Sequence, residues 1–276
     1  MRVSTRAGLG VLIAGLSIMG SVATVWAQDQ EDLRWRDHCR DRSGWSSEVR
    51  YCEVRVERLD QRAGALAIDA GENGGVEVAG DTGNNIVVHE LVEVEASSDA
   101  QARELANAIH VVTTGNDIHA EGPDNRRHQS WAVSYRIEVP KRSDLSLTAH
   151  NGPVSVAGVT GHLQLDAVNG PIELEGVGGD VHARAENGPL DVTLDGARWD
   201  GAGLDAETEN GPVDLRVPTH YAAHLETGTV NGPMEIDFPI TIQGRFEPRH
   251  ISIDIGGGGP TVHVATTNGP LVVKTD

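Results

Sequence analysis

Four carboxylates recur at one place in a repeat: Glu173, Asp191, Asp214 and Glu235 each stand four residues after an asparagine. Ser155 begins this column and Val272 ends it. If the repeats stack as strands, the four acids lie about 4.8 Å apart. Like charges stacked in that way repel unless something neutralises them. Glu175 and Asp237, two residues further on, join the same face. The chemistry on offer is cation binding, by calcium, which takes oxygen ligands, or by basic groups of a partner. No EF-hand or nonapeptide calcium spacing is present, so the plain alternative is a hydrated acidic face.

A second set of residues stands three before each asparagine: Thr148, Asp166, Arg184, Glu207, Gly228 and Ala265. Arg184 between Asp166 and Glu207 reads as a stacked salt bridge, contributing roughly 0–1 kcal/mol on an exposed face. Two coils apart, the carboxylates would be separated by about 9.6 Å at the backbone. Inverting glycosidases place their acid and base at roughly 6.5–9.5 Å. Arg184, however, occupies the place of the sugar and no aromatic subsites flank it, so catalysis is not expected. The twelve histidines look scattered, and His182 and His263 share a column without being on neighbouring coils. No Ser/His/Asp arrangement, phosphate loop or zinc spacing stands out. A third set, Trp199, His220 and Tyr221, falls where DGARWDGAG and VPTHYAAH lengthen two coils. Insertions in repeat proteins cluster on one face, often the binding one, so these residues are candidates for exposed tips that contact a partner; the plainer reading is that the rings fold back over the edge of the core.

The elements that must position these groups are set by Asn-Gly-Pro, which occurs at Asn151, Asn169, Asn187, Asn210, Asn231 and Asn268. The intervals are 18, 18, 23, 21 and 37 residues, the last long enough for one extra degenerate turn. Flanking positions keep phase. Six before each Asn stand Leu145, Leu163, Val181, Leu204, Leu225 and Val262; three after stand Val154, Ile172, Leu190, Val213, Met234 and Leu271. Alternation on both sides of a turn gives two short strands per repeat, each with one buried face. An antiparallel meander of hairpins also fits Asn-Gly. A meander gives no reason for the same residue to recur at every second turn, whereas in a β-solenoid the asparagine amides bond up the stack. The expected fold is therefore all-β, a β-solenoid of stacked two-strand coils of 18–23 residues. In it Gly supplies a positive φ and Pro fixes the exit of each bend.

Upstream, VRYCEVRVERL, ALAIDAGENGGVEVAG and NNIVVHELVEVEA read as strands, with Asn73-Gly74 a variant bend whose Leu66 and Ile68 sit one residue out of phase. SSDAQARELANAI is the one helix, with Ser98 and Gln101 as a capping box and Ala102, Leu105, Ala106 and Ile109 as its apolar stripe. SWAVSYRIEVP follows as a strand. Solenoid ends need covering, and the helix and the N-terminal segment are expected to form that cap.

The first residues set the compartment. Arg2 and Arg6 precede the apolar run 8–20, and Val25 and Ala27 form a small-residue cleavage pattern, so residues 1–27 read as a signal peptide. The run is too short to span a membrane, which takes about twenty residues. Without residues 1–27, which hold two arginines and no acids, the net charge moves from −19 to −21. That charge excludes nucleic acid as a partner, since phosphate binding needs a basic surface. Cys39 and Cys52 are the only cysteines, and in an exported chain a disulfide is the default; closing that loop would contribute about 3 kcal/mol. A metal site on His38 and Cys39 lacks a second ligand pair. The organisation expected is thus a signal peptide (1–27), a disulfide-bearing segment (28–62) and a repeat domain (63–276), with an irregular cap over 63–140 and regular coils over 141–276.

With these pieces in order, the chain resembles the bacterial DUF4097 family, also called the adhesin-like or β-strand repeat family. The resemblance rests on QARELA in the helix, the SWAVSYRIEVP strand, the tandem NG turns and the ending DFPITIQG…IDIGGGGPTVHVATTNGP. It implies an exported solenoid-like domain with an adhesive role and carries no catalytic residues. Read together, sequence and resemblance point to a non-catalytic module of the periplasm or cell surface that binds an envelope protein or a glycan, with no cofactor other than the calcium considered above. The alternatives are a periplasmic scaffold or envelope-stress component and, more remotely, a carbohydrate-active enzyme.

Overall fold

The computed structural model describes residues 48–60, 63–237 and 249–275. The signal-like segment, His38 and Cys39 lie outside the described residues, and with them the Cys39–Cys52 pairing. Two ten-stranded sheets face each other. The first runs in the order β1 (Val49–Asp60), β4 (Asn85–Ala96), β7 (Ser130–Pro140), β3 (Val76–Asp81), β9 (Val154–Ala157), β11 (Ile172–Glu175), β13 (Leu190–Thr193), β15 (Val213–Val217), β20 (Leu271–Thr275) and β17 (Met234–Asp237). The second runs β18 (His250–Ile255), β16 (Ala223–Thr229), β19 (Thr261–Asn268), β14 (Gly203–Asn210), β12 (Gly178–Asn187), β10 (Thr160–Ala167), β8 (Leu145–Ala149), β2 (Leu66–Asp69), β6 (Asp117–Glu121) and β5 (His110–Val112).

Each Asn-Gly-Pro joins a strand of the second sheet to one of the first, and successive coils pair in parallel with the asparagines in register. Alternation buries one face of the strands inside the stack: Leu163, Leu165 and Ala167 of β10 and Ile172 and Leu174 of β11 are at most 3% exposed. The Asn73 bend belongs to the same stack. Leu66 and Ile68 pair with Leu145 and Leu147, so its out-of-phase residue is taken up in the turn, where Gly71 adopts φ +66°.

The stack departs from chain order at its C-terminal end. β20 lies between β15 and β17, and β19 between β14 and β16, so the Asn268 coil is threaded between those of Asn210 and Asn231. The long interval before Asn268 was expected to hold a further parallel turn. Among the described residues it holds β18, which instead pairs antiparallel with β16 and closes the edge of the second sheet. The chain then reverses through Gly256, Gly257 and Gly258, all at positive φ, and enters β19.

The bend works differently from expectation. None of the glycines of the Asn-Gly-Pro turns has a positive φ. They are glycine because the coils touch there: a Cβ on Gly170, Gly188, Gly211, Gly269 or Gly232 would lie 1.9–2.0 Å from the carbonyl oxygen of the equivalent glycine in the neighbouring coil. Asparagine does what its recurrence implied. Its Nδ2 donates to the Oδ1 of the preceding Asn at 3.3 Å (Asn151 to Asn73), 2.9 Å (Asn169 to Asn151), 3.1 Å (Asn187 to Asn169), 3.0 Å (Asn210 to Asn187), 2.9 Å (Asn268 to Asn210) and 2.9 Å (Asn231 to Asn268). Asn187→Ala removes two of these bonds and should lower stability by about 1–2 kcal/mol, read as a shift in urea midpoint at unchanged m-value.

At the other end β1, β4 and β7 form an antiparallel apron, under which the helix α1 (Asp99–Ala108) packs Ala102, Leu105 and Ala106. Ser98 caps it, accepting from the backbone N–H of Gln101. Arg55 of β1 serves the opposite end, donating to the carbonyl oxygens of Ala106 and Ile109 at 2.9 Å each. Cations there complement the helix dipole. Next to Arg55 in the ladder stands Glu90, only 4% exposed. Burial, and then the charge of Glu57, hold its carboxyl up at about 7 against 4.5, with Arg55 offsetting part of the effect. A carboxyl raised in the folded state costs stability as pH rises from 4.5 through 7, because the native protein must give up a proton it holds more tightly than the unfolded chain. Relative to wild type, Glu90→Gln should gain up to about 3 kcal/mol at pH 8 and nothing measurable near pH 4. Denaturant melts across that range would show it, and a difference independent of pH would refute it.

Candidate functional site

The acidic column on the outer face of the first sheet is partly rearranged by the threading. Glu173 pairs with Asp191 and Asp191 with Asp214, but Asp214 and Glu235 both pair with Val272, which separates them. Four successive carboxylates are therefore three, with Glu235 set apart. The next column outward supplies cations: Lys274 Nζ lies 2.5 Å from Asp214 Oδ2 and Arg216 Nε 3.4 Å from Asp214 Oδ1. Asp191, desolvated and beside Asp214, has its carboxyl pushed upward. The strip thus carries its own counter-charges at Asp214.

Burial decides against the candidate tips and for the rings folding back. Trp199 is 3% and Tyr221 2% exposed, and both belong to the core. The lengthened loops turn inward: Arg198 bridges to Ala222 in parallel fashion, and the Trp199 indole N–H donates to the Gly179 carbonyl at 3.0 Å. Burial, followed by the charge of Asp195, pushes the Tyr221 hydroxyl up to about 12. His220 alone remains outside, at φ +70°.

On the outer face of the second sheet, Asp166, Arg184 and Glu207 are in register as expected. Among the described residues, though, Arg184 forms no ion pair with either acid. Asp166 accepts from Gln164 Nε2 at 3.2 Å, and Glu207 faces His263 at 3.8 Å. Beside the column of Glu207, across the next two columns of the same face, runs an alternation of imidazoles and carboxylates. His162 meets Asp180 at 3.2 Å, Asp180 meets His182 at 3.3 Å, His182 meets Asp205 at 3.8 Å, and Asp205 meets His263 at 2.7 Å. His263 follows Asp205 only because β19 threads next to β14. Beyond it, the column containing Glu207 continues as Ala265 and Gly228. With almost no side chains there, the surface sinks into a recess of about 390 Å³, walled by Glu207, His263, His250 and Arg249. Beside it Val230 is 60% exposed. The inner floor is held by Thr208, Thr266 and Thr229, whose hydroxyls donate to the carbonyls of Gly188, Gly211 and Gly269 at 2.8, 2.8 and 2.9 Å.

This geometry defines a class: a mostly β protein of two long mixed sheets, solenoid-like, not closed as a barrel, with a recess of mixed polar and apolar lining on one outer face. The chain belongs to the family described as Toastrack DUF4097, whose model matches residues 48–274. Among solved structures it is similar to a proposed cell adhesion protein of Clostridium sporogenes, at 11% identity over 82% of this chain and 100% of that one with a TM-score of 0.42. It is also similar to a proposed adhesin of Bacteroides fragilis (11% identity, 82% and 97% covered, TM-score 0.33). A third such structure is a proposed lipid-binding protein of Parabacteroides distasonis (9% identity, 80% and 96% covered, TM-score 0.30). No curated protein matches the chain. No helix among the described residues is long and apolar enough to cross a membrane.

Proposed function

We propose that this protein is an exported, non-catalytic binding module of the cell envelope, acting in surface adhesion, with the recess beside Ala265 and Gly228 as its ligand contact. The observation that carries this reading is the recess itself. It interrupts an otherwise filled outer column, and it offers a cation (Arg249), a carboxylate (Glu207), imidazoles (His263, His250) and an exposed apolar residue (Val230) within one concavity. Such a mixture of polar groups and apolar surface in a concave, preformed site suits a glycan or a protein segment. Asp166 and Glu207 do not act as an acid–base pair in this reading, since Arg184 stands between them in the ladder.

Protease treatment of intact cells followed by immunoblotting tests the location. Digestion without lysis supports adhesion. Protection until the outer envelope is opened would sink it and turn the reading to a periplasmic scaffold or envelope-stress component. The contact is tested on a glycan and matrix-protein array, where Ala265→Gln, which fills the floor of the recess, should lose binding while melting like the wild type.

A further inference from the structure

We propose that Asp205, Glu207 and His263 form a site for a divalent transition-metal ion of the zinc type on the outer face of the second sheet. Asp205 and Glu207 stand two residues apart on β14 and so project from the same face, and His263 reaches them from β19, the neighbouring strand. His263 Nδ1 lies 2.7 Å from Asp205 Oδ1 and 3.8 Å from Glu207 Oε1, and one donor atom from each of the three residues falls within 4.8 Å of the others. A tetrahedral ion with bonds of about 2.0–2.1 Å holds its ligand atoms about 3.3 Å apart, inside the range these side chains already span. An imidazole with two carboxylates suits zinc and its neighbours, whereas calcium takes oxygen alone.

Two further features point to a ligand here. The first is charge. Asp214 on the opposite sheet is met by Lys274 and Arg216, but the ion-pair partners of Asp205 and Glu207 among the described residues are only histidines. The second is room. Glu207 and His263 both line the recess, and Ala265 and Gly228 leave that side uncovered. Three protein ligands with one open side is the arrangement of zinc sites that accept a fourth, exchangeable ligand. His182 braces the set from behind, with Nδ1 3.8 Å from Asp205 Oδ2 and Nε2 3.3 Å from Asp180 Oδ1. Such outer partners orient the ligands of metal sites.

The inference does not depend on adhesion or on cellular location, because it is read on purified protein. The mature chain, stripped with chelator, is titrated with zinc chloride by calorimetry and with cobalt(II) chloride by visible absorption. The expected result is one saturable equivalent, a raised melting temperature, and a cobalt band of the intensity of a four- or five-coordinate ion. His263→Gln and Glu207→Gln should each weaken binding at least about tenfold, while His119→Gln, on a distant strand, leaves it unchanged. Absence of binding, or binding equally tight in His263→Gln and Glu207→Gln, would overturn the site. Should His263→Gln itself fold poorly, the exposed Glu207 decides alone.

Discussion

Gly211→Ala should leave the protein unable to hold its stack. The added methyl would stand 1.9 Å from the carbonyl oxygen of Gly188 and 2.5 Å from its carbon. Both atoms are backbone, so no side-chain rotation relieves the clash. Moving the coils apart at that point would stretch the ladder bonds on both sides of the bend, the Asn210–Asn187 amide bond among them. It would also disturb Gly188 itself, whose oxygen accepts from the Thr208 hydroxyl. A loss above about 4 kcal/mol is expected, a size that single substitutions reach only through a few mechanisms, of which overpacking against an immovable neighbour is one. Total stabilities run at about 5–15 kcal/mol, so the variant should be largely unfolded or recovered insoluble. Gly71→Ala is the control. Gly71 has φ +66° with nothing within 4 Å of the added carbon, so only backbone strain of about 1–2 kcal/mol applies. Circular dichroism melts of the two variants decide the matter: equal costs would mean that close approach is not what selects glycine in the bend.

Trp199→Ala should cost about 3–5 kcal/mol, the range for removing a buried aromatic. The ring is 3% exposed, and its N–H serves the Gly179 carbonyl, so the truncation leaves both a cavity and an unpaired acceptor. Trp199→Phe, which restores part of the volume without the donor, should recover much of this and leave a deficit of about 1–2 kcal/mol. Tyr221→Ala, at a residue 2% exposed, should fall in the same class. A binding tip would behave in the opposite way, with ligand lost and melting unchanged. Finding that pattern would return Trp199 and Tyr221 to the surface role that their position in lengthened loops implied.

At these two residues the sequence leaves two readings open. Aromatic rings in variable loops carry the same signal whether they face a ligand or fold inward; the direction is set by the backbone of two loops at once, here by the bridge from Arg198 to Ala222. The glycine of the bend is a related case. Its recurrence was legible, but its reason was contact between coils, a distance that no single repeat contains. The acidic column was legible as a column, and Arg216, two residues beyond Asp214 on the same strand, shares its face by alternation alone; Lys274 reaches Asp214 only because β20 stacks beside β15.

By itself the sequence determined the repeat, its phase, the bend at each asparagine, the amide ladder and the capped helix. All of these rest on local periodicity or on identical residues meeting identical residues, and both survive any ordering of the coils. The tertiary structure alone decided the order. Threading β19 and β20 into the stack ahead of β16 and β17 puts His263 beside Asp205 across 58 residues of chain. The same step parts Asp214 from Glu235 and brings Ala265 and Gly228 together as the floor of the recess. Parallel coils in one register are interchangeable to their hydrogen bonds. What selects among their orders is side-chain packing and edge closure by β18, and that information is spread over the whole C-terminal third of the chain.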